Sequence, residues 1–273
     1  MIRLTAAVVI VVVSLIAISL IFVGQSSAKI DEKNMMGAWL FDEGKGDTAK
    51  DSSPNGNHGT IDGPKWVAKG KIGKCLEFAG TGDYVDCGNH ESLDYLGEGD
   101  FTVVAWVKVL TNDGDWHNIV SKKIGYNNTD VGWMAWLDFR DAGAMQLRIN
   151  DGTTVNDNTP NAPDKTLMGQ IQDGDWHHLA WVVTEPGILT YYLDGEDKGE
   201  NTFSMKGSTE NSVSLRMGQS EGNSKGIHSH LDEVGIFNVV LTEKDIAELI
   251  NKGITTAVSP SGKLASTWAE IKK

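Results

Sequence analysis

Residues 173 to 196, DGDWHHLAWVVTEPGILTYYLDGE, leave the chain little freedom. Leu179, Trp181 and Val183 alternate with His178, Ala180 and Val182, the period-two pattern of a strand buried on one face. Glu185, Pro186 and Gly187 are turn formers, after which Leu189, Tyr191 and Leu193 resume the alternation. The segment predicts an antiparallel hairpin that ends at Asp194-Gly195, a dipeptide tolerant of positive φ. Similar runs rich in β-branched and aromatic residues recur from Trp39 to Val240, separated by DG, NG, GDG and PG turns, with no long helical pattern among them. The class is all-β. One exception is Thr242 to Asn251, where Thr242 can cap, Asp245 sits at the third helical position, Ile246, Leu249 and Ile250 share a face, and Gly253 follows, so a short helix is predicted there.

Ahead of this pattern stands a different kind of segment. Met1 to Arg3 form a short basic start, Leu4 to Val23 are nearly all apolar, and Ser26, Ser27 and Ala28 suit a cleavage site. Residues 1–28 read as an export signal or, since the run is long enough to span a bilayer, as an uncleaved membrane anchor. Either reading places the folded part outside the cytoplasm, in the periplasm, secreted or at the cell surface. Residues 29–36 form a short leader segment, 37–253 one domain and 254–273 a tail in which Trp268 is expected to pack back on the domain. A net charge of −13 without any basic patch argues against nucleic acid as a partner.

The two cysteines flank what reads as another hairpin, with Ala79 to Asp83 as its loop. If Phe78 faces Tyr84, the register sets Cys75 opposite Cys87. A cross-strand disulfide would then close a short loop, worth about 2–3 kcal/mol on an entropic estimate; two reduced, buried thiols are the other reading.

Several segments together resemble the laminin-G-like domain of the concanavalin A-like lectin/glucanase superfamily. They are the Trp-His-His strand with its Tyr-x-x-Asp-Gly partner, GAWLFDEGKGDTAKDSSPNGNHGTIDG (37–63), GKCLEFAGTGDYVDCG (73–88), FTVVAWVKV (101–109) and HLDEVGIFNVVLTEKDIAELI (230–250). The resemblance covers about residues 37 to 252 and implies a two-sheet antiparallel jelly-roll sandwich closed by the short helix.

Three groups of residues could carry chemistry. Glu43, Asp51, Asn55 and Asn57 form an oxygen-rich segment that could suit a hard cation and that also reads as ordinary turn sequence. The resemblance implies a structural calcium ion held between this loop and LDEV, carried over onto Asp51, Asn57 and Asp232, with Glu43 and Glu233 as further candidates. In VGWMAWLDFR the alternation sets Val131, Trp133, Ala135, Leu137 and Phe139 on one face and Trp136, Asp138 and Arg140 on the other. An indole plate beside charged hydrogen-bonding groups suits a sugar ring, and Trp106 takes an equivalent outward position because Phe101, Val103, Ala105 and Val107 claim the apolar face; the other reading is that both indoles are covered by loops or by the opposing sheet. His177 and His178 point to opposite faces of a strand, which makes them structural rather than a metal pair. DGDWH occurs at both 113–117 and 173–177, one turn solution used twice.

The related glucanases carry a Glu-x-Asp-x-x-Glu strand, which this chain lacks, and no nucleophilic serine motif is present. The expectation is therefore an exported, non-catalytic recognition module that binds a carbohydrate or glycoconjugate, with the loop regions 111–130 and 150–173 as candidate ligand surfaces. The alternatives are a module for adhesion or envelope structure that binds a cell-surface protein, and a glycan-active hydrolase. A membrane contact follows only if the leader is retained.

Overall fold

The computed structural model describes residues 30–94, 99–111, 113–125, 129–141, 144–153, 155–158, 171–185, 187–204, 206–222 and 225–259. The export segment, Pro186 and Trp268 lie outside them.

The first strands are β1 (Ile30–Asp31), β2 (Met35–Trp39), β3 (Thr48–Ala49), β4 (Gly59–Asp62), β5 (Lys65–Val67), β6 (Cys75–Ala79), β7 (Tyr84–Asp86), β8 (Phe101–Val109) and β9 (Trp116–Lys122). They are followed by β10 (Gly132–Asp138), β11 (Ala144–Asn150), β12 (Val155–Asn158), β13 (Trp176–Thr184), β14 (Ile188–Leu193), β15 (Glu196–Thr202), β16 (Arg216–Met217), β17 (His228–Phe237) and β18 (Val258–Ser259). Helices α1 (Glu243–Lys252) and α2 (Ile254–Ala257) precede β18. The strands form two facing sheets. Sheet one runs β15-β14-β13-β8-β17-β6-β5, with β2 also paired to β17, and sheet two runs β12-β11-β10-β9-β16-β7-β4-β3. This is the antiparallel jelly-roll sandwich that the strand pattern and the resemblance imply.

The opening hairpin forms in the register its alternation dictates, with Leu179 opposite Leu193, Trp181 opposite Tyr191 and Val183 opposite Leu189. All six belong to the main core between the sheets. Asp194 (φ 54) and Gly195 (φ 84) make the positive-φ turn. The intervening residues Ala180 and Val182 face outward from sheet one, where Ile246 and Leu249 of α1 and Ile254 and Ala257 of α2 cover them in a second, smaller core. The predicted cap holds α1 in place: Asp245 N donates to Thr242 Oγ1 at 3.3 Å, and Thr242 N donates back to Asp245 Oδ2 at 3.0 Å. The fold extends past the expected 37–253 span at both ends, because β1 pairs parallel with β18, Ile30 opposite Val258.

The structure corrects the cysteine hairpin. β6 pairs with β5 and β17 in sheet one, whereas β7 pairs with β4 and β16 in sheet two. Residues 80–83 are a corner of the sandwich. Gly80 (φ 115) and Gly82 (φ 100) turn the chain there, and Asp83 Oδ2 accepts from Ala79 N at 2.7 Å. Leu76 and Phe78 fill the core from one sheet while Val85 and Cys87 fill it from the other; Cys75, out of phase with Leu76, points away from that core. Both cysteines are buried and free, so the proposed Cys75–Cys87 disulfide is not present. Burial pushes the Cys75 thiol up to about 12, with the Asp232 and Glu77 charges adding to the effect.

Candidate binding face

The outer face of sheet two is polar and, at its centre, buried. Trp133, Ala135, Leu137, Met145 and Leu147 point into the core, so their neighbours on β10 and β11 point out. Register then sets Gln146, Trp136 and Asn118 side by side. In the next row stand Arg148, Met134, Ser121, Arg216, Asp86 and Thr60, one from each of six adjacent strands. Asn118 and Ser121 both face outward because β9 is irregular between them: the register shifts opposite Ala135 and Trp136, and Ile119 and Val120 both enter the core.

Asn118, Ser121 and Gln146 are 0%, 1% and 2% exposed. Asn118 Nδ2 and Oδ1, Ser121 Oγ and Gln146 Oε1 are nonetheless without hydrogen-bond partners. Each such atom costs about 1–3 kcal/mol of desolvation. Beside them the Arg148 guanidinium lies 5.5 Å from the Trp136 ring centre. At the far end of the same face, Thr60, Asp62, Tyr84 and Asp86 line an open cavity of about 400 Å³ together with His58 and His90. Tyr84 donates its hydroxyl to Asp62 Oδ2 at 2.8 Å, which pushes the phenol pKa up, and the Arg216 guanidinium stacks 4.3 Å from its ring while pairing with Asp86 at 2.8 Å. His58 accepts from Asp51 N through Nδ1, so in the neutral ring Nε2 carries the proton.

The residues expected to meet a sugar are placed as follows. Trp136 and Asp138 share the outer face of β10. Arg140 follows in a 3₁₀ turn (Phe139–Asp141), and its side chain returns to Asp138, donating from Nε to Oδ1 at 3.0 Å and from Nη2 to Oδ2 at 2.7 Å. Its guanidinium lies 4.0 Å from the Trp116 ring centre, and the Trp116 indole donates to Asp138 Oδ2 at 3.2 Å. Trp106 sits elsewhere: it faces outward from sheet one, edge-on to His178 and beneath the Lys71 ammonium at 4.0 Å. The two indoles thus lie on opposite outer faces, and both are covered, at 4% exposure for Trp136 and 3% for Trp106. Region 111–130 contains β9, the source of Asn118 and Ser121, and much of 150–173 lies outside the described residues.

The four candidate calcium ligands have separate partners. Asp51 accepts from Ala38 N and Ser53 N on Oδ1 and from Ser53 Oγ and Asn57 N on Oδ2, all at 2.7–2.8 Å. Asn57 donates to Met36 O and Ser92 Oγ, and its own carbonyl accepts from the Trp39 indole. Glu43 Oε1 accepts from Lys50 N. Asp232, fully buried, accepts from Lys71 N and Ile72 N on Oδ2, while Oδ1 has no partner. Burial pushes Asp232 up to about 8 and its neighbour Glu233 to about 7, with Glu233 also held by Ile254 N at 2.6 Å. Among the described residues no three His, Cys, Asp or Glu side chains converge as a metal-binding group. As a set, Asp51, Asn57, Asp232 and Glu43 do not fit one ion; Asp232 alone keeps a buried, unfilled oxygen.

Two facing antiparallel sheets with this strand order define a lectin-like jelly-roll sandwich. The chain belongs to the Laminin_G_3 family of the concanavalin A-like lectin/glucanases superfamily, whose model matches residues 79–247. The binding domain of Paraclostridial Mosquitocidal Protein 1 superimposes with a TM-score of 0.62 at 20% identity, covering 81% of this chain and 52% of that one. The receptor binding domain of botulinum neurotoxin C/D mosaic serotype gives 0.59 at 14% identity, covering 81% and 51%. A structure of botulinum neurotoxin type C, whose cell entry depends on interaction with two ganglioside molecules, gives 0.57 at 13%, covering 82% and 52%. The chain thus spans about half the length of these structures, and at such identities the likeness is one of fold. Among proteins of curated function, none matches the sequence.

Proposed function

We propose that this protein is an exported carbohydrate-recognition module that holds a glycan or glycoconjugate on the outer face of sheet two without turning it over. The observation that carries this reading is the open cavity of about 400 Å³ on this face, where the Tyr84 ring stands among Thr60, Asp62, Asp86, His58 and His90. Sugar hydroxyls would meet the Asp62 and Asp86 carboxylates and the His58 and His90 imidazoles there, and Tyr84 would take a ring face. Binding domains among the structural neighbours support the same reading.

A glycan array tests it. Tyr84→Ala, at the cavity, is expected to weaken binding at least tenfold while leaving the melting temperature within a few degrees of the parent. Silence across the array together with capture of a defined envelope protein would replace the sugar with a protein partner. Release of reducing ends from a bound glycan would replace recognition with hydrolysis.

A structural calcium ion belongs to the proposal at Asp232, whose unfilled oxygen is the feature that suits a cation. Calcium should raise the melting temperature, chelator should lower it, and Asp232→Asn should abolish the difference; a parent protein indifferent to both removes calcium from the reading. Export predicts a mature chain beginning near Lys29, which amino-terminal sequencing of protein from its native source reads directly.

A further inference from the structure

We infer that one wall of the Tyr84 cavity is built around an internal cation, the Lys122 ammonium, which fills a cage of oxygens where a bound metal ion could otherwise serve. The cage stands on its own geometry, and its consequence for ligand binding rests on the glycan reading above.

Lys122 lies opposite Trp133 in β9. With Ser121 facing outward, alternation turns the lysine inward, and its side chain is 1% exposed. A buried ammonium is tolerated only where oxygens and an opposite charge take the place of water. Five oxygens do so here: Asn89 Oδ1 at 2.6 Å, Asp94 Oδ1 at 2.8 Å, Val213 O at 3.0 Å, Asn211 O at 3.2 Å and Asn211 Oδ1 at 3.4 Å. They come from two segments, one that follows β7 and one that precedes β16. Asn211 also donates from Nδ2 to Lys122 O at 3.1 Å, so one residue holds the lysine at its backbone and at its tip.

The spacing identifies the kind of cation. Calcium takes about six to eight oxygens at about 2.3–2.6 Å, a fuller and tighter shell than this one. The three shortest contacts, 2.6, 2.8 and 3.0 Å, match the three N–H bonds of an ammonium, and the single carboxylate matches its single charge. The segment after β7 is at the same time a wall of the cavity, to which Gly88 and His90 belong on either side of Asn89. The ammonium holds this segment at Asn89 and Asp94, and Ser92 between them accepts from Asn57 Nδ2 at 3.0 Å. Lys122 is therefore a positioning residue: it lines no part of the cavity and fixes the backbone that does. Binding at the cavity is then indifferent to calcium and chelator, whatever an ion at Asp232 does for the melting temperature.

Hydrogen exchange on the full-length protein is the test. In the parent, the amides of 87–94 and 209–215 should keep their protection whether calcium or chelator is added. Lys122→Ala should raise exchange in both segments about tenfold or more. Propylammonium, which supplies the missing stem and the N–H donors, should restore protection, and tetramethylammonium, which has the charge and no N–H, should not. If Lys122→Ala does not fold, Asn89→Ala serves, since it removes one oxygen and keeps the charge; it should open 87–94 and leave the β13–β14 hairpin protected. Unchanged or chain-wide exchange in the variant that folds, equal rescue by both ammonium ions, or a parent opened at these segments by chelator overturns the inference. On the glycan array, Asn89→Ala should weaken the parent's binding about tenfold, and chelator should leave the parent's binding unaltered. Loss of the parent's binding in chelator overturns the inference and leaves the glycan reading standing. A parent that binds no glycan removes the glycan reading, and the exchange results still decide the cage.

Discussion

Asp113 and Asp173 each accept from the backbone amide two residues on and from a histidine four residues on. The His117 contact is 2.8 Å and the His177 contact 3.1 Å. The repeated DGDWH sequence therefore builds the same turn in both sheets, as the sequence repeat implies, yet the two imidazoles titrate in opposite directions. His117 is completely buried against Phe139, and burial pulls its pKa down in spite of Asp113. His177 gains a second carboxylate, Asp194 at 2.8 Å, whose hydrogen bond is the leading cause of a rise to about 8. A histidine raised in the folded state stabilises fully below its unfolded value of about 6.5 and loses that contribution as pH rises through its folded value. Melting temperature should therefore fall between pH 6.5 and about 8, and His177→Gln should flatten that slope. A variant that keeps the parent's slope would assign it to another group. The Asp194 contact was not legible in the sequence, since it depends on the return of β14 beside β13.

At the scale of elements, the hairpin of β13 and β14 and the helix α1 were legible because alternation and caps are written in neighbouring residues. Thr242→Ala should remove the reciprocal cap and destabilise the protein by about 1 kcal/mol in urea unfolding. A cost near zero would mean that Ile246 and Leu249 pin the helix without help from its end. The passage from β6 to β7 misleads for a physical reason: a hairpin and a sandwich corner both need glycine at positive φ between two alternating strands, and only the rest of the fold decides which sheet receives the second strand. The binding face divides in the same way. Trp136 and Asp138 follow from period two in β10. Asn118 and Ser121 do not, because the irregularity in β9 sends Ile119 and Val120 to the same side. Tyr84, Asp62 and Asp86 alternate visibly, but that they join one face with Trp136 is set by the non-local pairing of β16 with β7 and β9.

For the molecule as a whole, the corner at residues 80–83 makes the two cysteines independent. Purified without reductant and then unfolded, the protein should show two reactive thiols, and reductant should leave its melting temperature unchanged. One disulfide per chain would require β6 and β7 to pair after all. Sheet one's outer side is partly occupied by α1 and α2, and sheet two's outer side is covered at its centre and open at the Tyr84 cavity.

The pairing of Ile30 with Val258 brings the start and finish of the described fold into register as adjacent parallel strands. A few residues of linker could therefore join residue 259 back to residue 30, and new termini could open in an exposed turn such as Asp173-Gly174-Asp175 without disturbing either sheet. Such a circularly permuted chain would move the points of attachment from the β1–β18 pair to that turn, so that fusion partners or tethers could be re-sited.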